Sequence, residues 1–198
     1  MSRSYHTDPK WRIAARNAKL DRDGRPVLPR VVEKAPRIGD THPVPGRLLS
    51  KMLGRLPPEL WYGLRAVELR PRQGEVGEPF ASYSRSAKTI RLFSLPEVLE
   101  FESIPQFDRA LMEGSDALIE RDGEGFRVRW DDPRGMGFWY FYSVFIHELG
   151  HHHRFQYPAK RGLPRRRQEE EYLADRYCYW VLVGRMSRRK YRNRIEPL

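Results

Sequence analysis

Cysteine is nearly absent from this sequence: Cys178 is the only one in 198 residues, which excludes a disulfide within the chain. Flanked by Tyr177 and Tyr179, it suits a packed thiol better than a ligand. No apolar run approaches the roughly eighteen residues that a membrane-spanning helix needs, so no membrane role is expected. The opening residues, Met1-Ser2-Arg3-Ser4-Tyr5-His6, lack the apolar stretch of a secretory signal. These absences together point to the cytoplasm. Acidic residues are missing from 154–168 altogether, and only one stands in 184–198.

What is present supports one modest core. Hydrophobic residues make up 39% and aromatic residues 12%, against 32% charged and a mean hydropathy of -0.74; the length suits one domain with appendages. The formal charge of +11 is uneven. Residues 1–46 carry +5, 154–168 carry +6 and 184–198 carry +5, which exceeds the total, so the remainder is acidic by 5. The basic character therefore belongs to a leading arm, a loop and a tail. Such clusters attract phosphate backbones or acidic proteins, or serve only as solubilising charge.

Chemistry concentrates in Phe138–His153, a run with helical character that ends in His147-Glu148-Leu149-Gly150-His151, an H-E-x-x-H pattern. Residues four apart share a helical face, so both imidazoles can address one metal ion. Glu148 then stands beside the ion, placed to take a proton from metal-bound water. Two neutral imidazoles and an open position suit Zn²⁺, which needs a third protein ligand. Glu171 follows His151 by twenty residues, enough for a loop and the start of a second helix. Asp175, four residues on, shares its face and is the expected carboxylate partner for the free N–H of His147. Ala174 is small enough to let the two helices approach closely. An acidic first helical turn explains Glu169 and Glu170, but not Ala174-Asp175 at this spacing. His152 and His153 rotate off the face of His151 by about 100° and 200°. His152 is expected on the apolar side with Phe141, Phe145 and Leu149, and neither histidine is expected to bind the ion.

With H-E-x-x-H followed by E-x-x-x-D, the chain resembles the gluzincin branch of zincin metallopeptidases, most of all the minimal gluzincins and the ImmA/IrrE-type metallopeptidases. His147, Glu148, His151, Glu171 and Asp175 match that pattern one for one. The resemblance is specific there, general over about residues 47–185 and absent from the N-terminal segment. It implies a zinc-bound water, Glu148 as general base and acid, and a peptide bond as target. It also implies an α+β, zincin-like fold: a small twisted sheet on an active-site helix, followed by a glutamate-bearing helix.

Along the chain, residues 1–46 read as a basic, proline-rich arm in which only Trp11–Leu20 has helical composition. Residues 47–198 form the expected metallopeptidase domain. Gly46–Leu56 has helical periodicity, Pro57-Pro58 stops it, and Glu59–Leu64 makes a turn or short helix. Ala66–Arg70, Phe80–Ser84 and Thr89–Phe93 alternate as strands. In the families the chain resembles, the last strand before the active-site helix is commonly the sheet edge that pairs with a substrate backbone. That role is expected of the strand at 88–93, with Gly125–Trp130 as the alternative. Between them, 97–124 is an insertion in which Phe107–Met112 and Ala117–Ile119 suggest short helices, covering the cleft or extending the core. The second helix runs on to Gly184, followed by the basic tail. No oxyanion-stabilising residue has a firm spacing argument; Tyr172, Tyr177, Tyr179 and His153 are near enough to consider.

The leading expectation is a cytoplasmic zinc endopeptidase acting on a protein or peptide substrate. The alternative is a nucleic-acid-associated metalloprotein using the basic arm, loop and tail, either an SprT-like protease or a zinc-containing binding protein. SprT-like proteins usually supply a third histidine where Glu171 stands here, and no recognisable nucleic-acid-binding module accompanies the charge. A deformylase would need a cysteine upstream of the motif, and there is none.

Overall fold

A computed structural model describes residues 27–74, 77–156 and 170–177. The expected helix at Trp11–Leu20, the loop at 157–169 and the tail from Cys178 onward lie outside the described residues.

Strand β1 (Arg30–Glu33) is followed by β2 (Asp40–Thr41), helix α1 (Gly46–Arg55) and the short helix α2 (Pro58–Trp61). Strands β3 (Ala66–Arg70), β4 (Ala81–Ser84) and β5 (Thr89–Phe93) come next. The main sheet has the order β1-β3-β5-β4, with β1, β3 and β5 parallel and β4 antiparallel to β5. Helices α1 and α2 supply the crossover that parallel strands β1 and β3 require. Val67 lies beside Ile90 and Leu69 beside Leu92, and none of the four is more than 1% exposed. Alternation thus puts these four side chains on one face, where they join a single core with Leu49, Met52 and Leu53 of α1. Helix α1 starts against the sheet: the Gly46 N–H donates to the Glu33 carboxylate at 2.9 Å, a negative charge at the positive end of the helix.

Residues 30–33, read above as part of the arm, therefore form an edge strand of the main sheet. The expected edge role of 88–93 does not hold, because β5 has β3 on one side and β4 on the other. The alternative at Gly125–Trp130 is also central. It is β9, flanked by β7 (Val98–Phe101) and β8 (Ala117–Asp122) in an antiparallel sheet of order β7-β9-β8.

The insertion builds most of that second sheet. Helix α3 (Gln106–Glu113) forms where Phe107–Met112 suggests one, but Ala117–Ile119 belongs to β8 and is not helical. The correction follows from its partner: Ala117, Leu118 and Ile119 pair with Trp130, Arg129 and Val128 across a two-residue turn. Gly123 takes φ 60 in that turn, a conformation glycine adopts without steric cost. A further two-stranded ladder joins β2 to β6 (Leu95–Pro96).

Asp132 caps the next helix by accepting from the Arg134 N–H at 2.9 Å, with Pro133 in the first helical position. Helix α4 (Pro133–Trp139) then runs through a wide π-type stretch, Tyr140–Phe145, into α5 (Ile146–Gln156). Trp139, Tyr140, Phe141, Phe145, Ile146 and Leu149 are all at most 1% exposed, so this rod is the centre of the core. Trp139 stacks on Trp130 with centroids 5.5 Å apart and meets Phe80 edge-on at 5.7 Å, which ties both sheets to the rod. The last described helix, α6, covers residues 170–177. The whole is an α+β arrangement of small sheets and helices, and among the described residues no helix is long and apolar enough to cross a membrane.

Candidate metal centre

On α5, His147 and His151 stand one turn apart with ring centroids 4.7 Å from each other. Their Nε2 atoms are 3.0 Å apart, and Glu171 Oε2 of α6 lies 3.1 Å from His147 Nε2 and 3.4 Å from His151 Nε2. Three donor atoms from two helices thus form a small triangle, and among the described residues this is the group that could hold a metal ion. A tetrahedral ion with bonds of about 2.0–2.1 Å keeps its donors about 3.3 Å apart, which the triangle matches. The protonation pattern also fits. Asp175 Oδ1 is 2.9 Å from His147 Nδ1; a carboxylate accepts, so Nδ1–H donates and Nε2 of the neutral ring keeps its lone pair toward the triangle. Two imidazole lone pairs and a carboxylate oxygen at this spacing repel one another unless a cation or proton lies between them.

The charges around the two rings push them apart. Burial lowers the His147 pKa, but the bond to Asp175 and the charges of Glu148, Asp175 and Glu171 outweigh it and hold it above the ordinary value. Burial and the neighbouring His147 hold His151 below, partly offset by Glu171 and Glu170.

Glu148 lies outside the triangle. Burial pushes its carboxyl up to about 7, opposed by His147 and reinforced by Glu171, and the backbone N–H of Tyr83 donates to it. A carboxyl with that pKa exchanges protons readily near neutrality.

The crossing of α5 and α6 sets the triangle. A Cβ on Gly150 would stand 3.1 Å from Ala174 Cα and 3.2 Å from Tyr177 Cβ, and Ala174 is 2% exposed. The small residue expected on α6 is there, and Gly150 on α5 is its counterpart. Glu171 and Asp175 flank Ala174, so a close crossing brings both carboxylates to His147.

The other histidines face away. His152 is 1% exposed; its Nε2–H donates to the Tyr62 carbonyl at 2.8 Å and its Nδ1 accepts from the Tyr83 hydroxyl at 3.1 Å. Burial pushes its pKa down to about 4. His153 packs edge-on against Tyr177 at 5.1 Å, and burial holds it at about 4 as well. Of the residues considered for the oxyanion, Tyr172 is 60% exposed beneath the Arg176 guanidinium, and Tyr179 lies outside the described residues.

Two contributors carry no sequence signal of their own. Asp108, on α3 of the insertion, accepts from the Ser143 hydroxyl and from Trp139 Nε1. With Pro105, Phe107, Ser143, His147 and Asp175 it lines a recess of about 230 Å³ on the rear side of His147. Its pKa is raised by burial, against the two hydrogen bonds. Tyr83 contributes through its backbone, which no residue pattern displays. Comparison with family models, with curated proteins and with solved structures finds no match to this chain.

Proposed function

We propose that the protein is a zinc-dependent endopeptidase of zincin-like, gluzincin type, with His147, His151 and Glu171 as metal ligands, Asp175 orienting His147 and Glu148 as the general base. The observation that carries the reading is the donor triangle with a half-buried carboxylate beside it. The His₂Glu donor set is one that catalytic zinc uses, and it leaves a position open. Zinc bound there would act as a Lewis acid on a water or a scissile carbonyl. The chain's own residues do the rest. Glu148 takes the proton of the attacking water and returns it to the departing amine. Asp175 keeps His147 in one tautomer. The Gly150–Ala174 crossing holds the donors at their spacing.

The substrate edge in this reading is β4 rather than β5. The Phe93 N–H donates to the Phe80 carbonyl, so by alternation Ser82 also bonds with β5, while Ala81 and Tyr83 turn their backbone groups outward. An extended peptide laid along that side would pair with Ala81 and the Tyr83 carbonyl, and so reach Glu148 without demanding particular side chains.

The test is a comparison of wild type with Glu148→Gln in metal content and in cleavage of a mixed-sequence peptide library. Zinc near one per chain in both proteins, with cleavage about 10²–10⁴-fold lower in the variant, supports the reading. Full cleavage by Glu148→Gln, or no zinc in the wild type, sinks it.

A further inference from the structure

We propose that Tyr83 and His152 are positioning residues that hold the general base: His152 clamps the Tyr83 side chain so that the Tyr83 backbone N–H is held against the Glu148 carboxylate. The inference rests on the reading of Glu148 as the base.

Glu148 and His152 are four apart on α5 and therefore share a face, distinct from the face that carries His147 and His151. Both meet the same residue of β4. Glu148 takes the backbone N–H of Tyr83, and His152 takes its hydroxyl at 3.1 Å. The Tyr83 and His152 rings also meet edge-on, with centroids 5.4 Å apart, and the other side of Tyr83 stacks on Phe155 at 6.0 Å. One turn of helix thus grips one residue of strand at both its main chain and its side-chain tip.

The grip is needed because β4 is four residues long and has a single neighbour in its sheet. Hydrogen bonds to β5 fix its distance from β5 but not its distance from α5. His152 supplies that second constraint and is itself fixed from behind, since its Nε2–H donates to the Tyr62 carbonyl beyond α2. That bond leaves Nδ1 as an acceptor, so only the Tyr83 hydroxyl proton can complete the pair. At 1% exposure, His152 has no water to substitute for either bond. Without the clamp, β4 can drift from α5, and the carboxylate loses a donor that keeps it aimed.

Two measurements test this. The first uses metal-free protein and amide hydrogen exchange. The Tyr83 N–H faces away from β5, so protection there reports its bond to Glu148. Protection is expected in the wild type, lost in Glu148→Ala, and weakened in Tyr83→Phe and His152→Leu. The second uses zinc-loaded protein and a quenched-fluorescent peptide drawn from the library. Tyr83→Phe removes one hydroxyl and should lower kcat about 5-fold, the effect of one hydrogen bond. His152→Leu should lower it about 10–100-fold, the range expected when a reacting group is misplaced. In both, zinc content should hold, and the double variant should be no worse than His152→Leu, since the two residues act in series. The proposal is overturned if Tyr83 protection survives Glu148→Ala, or if activity falls only in proportion to zinc lost. If the wild type cleaves no peptide, the assignment of Glu148 as base falls while the exchange experiment still decides whether the clamp exists.

Discussion

Gly150 and Ala174 touch where the two helices that carry the donor triangle cross: a Cβ added to Gly150 would lie 3.1 Å from Ala174 Cα. Alanine at 150 would gain about 1 kcal/mol of helix propensity over glycine, but its methyl needs the helices to part by a few tenths of an ångström. Gly150→Ala should therefore fold normally and bind zinc several-fold more weakly. The branched side chain of Gly150→Val should part the helices further and weaken zinc by at least about tenfold, consistent with an oversized residue in a packed site. Competition titration against a fluorescent chelator measures both. Unchanged affinity in Gly150→Val would show that the crossing does not set the donor spacing.

Asp175 orients His147 without reaching the triangle. Asp175→Asn preserves shape but weakens the acceptor, and Asp175→Ala removes it. Such partners of a ligating imidazole typically contribute 10–100-fold in metal affinity, so the alanine variant should fall in that range and the asparagine variant above it. The same titration reads both. Equal affinity in Asp175→Ala and wild type would remove Asp175 from the site.

Asp108 should matter to stability more than to the metal. Its carboxylate accepts from the indole N–H of Trp139, which is 1% exposed. Asp108→Ala takes away the oxygen that this buried donor and the Ser143 hydroxyl share, at a cost of about 1–3 kcal/mol. Denaturant unfolding should show the loss, while zinc content stays at the wild-type value. Loss of zinc with unchanged stability would reverse the assignment.

Buried neutral His152 makes folding sensitive to acid. Its pKa falls from 6.5 to about 4 on folding, so between those values the unfolded chain binds a proton that the folded chain refuses. Stability from this group is complete above pH 6.5 and is lost as pH falls toward 4. Glu148, raised to about 7, works in the opposite direction, so the informative quantity is the difference between wild type and His152→Gln. In metal-free protein the destabilisation caused by that substitution should be about 2 kcal/mol smaller at pH 5 than at pH 7.5. A difference independent of pH would mean that His152 is protonated in the folded protein.

The legible parts of the molecule were those with a local period. His147 and His151, and again Glu171 and Asp175, are four apart on helices, and the alternation of Ala66–Arg70, Thr89–Phe93 and Gly125–Trp130 marks strands. The missed parts depend on distant partners. Arg30–Glu33 has only two apolar residues between prolines, and its pairing with β3 makes it a strand. In Ala117–Asp122 most side chains are exposed, so its pattern is faint and the pairing with β9 decides it. Asp108 meets Ser143 across 35 residues of chain, and a backbone N–H such as that of Tyr83 leaves no trace in residue identities. Assigning the edge to 88–93 failed for a related reason: nothing local to a strand tells how many neighbours it will have.

The wide π-type stretch at Tyr140–Phe145 has one more consequence. A turn of this kind holds an extra residue compared with an α-helix, so whatever follows is rotated by about 100° relative to what precedes. Upstream, Tyr140 is anchored in the core, its hydroxyl proton shared between the Phe80 and Phe93 carbonyls, each 2.8 Å away. Downstream, His147 and His151 face α6. The stretch therefore works as a phase setting between an anchor and the face that carries the donor triangle. Removing one residue from 141–143 would leave every letter of H-E-x-x-H and E-x-x-x-D in place while turning the two histidines away from Glu171. The motif is a statement about composition along the chain; whether it is a site depends on a count of residues that the motif does not contain.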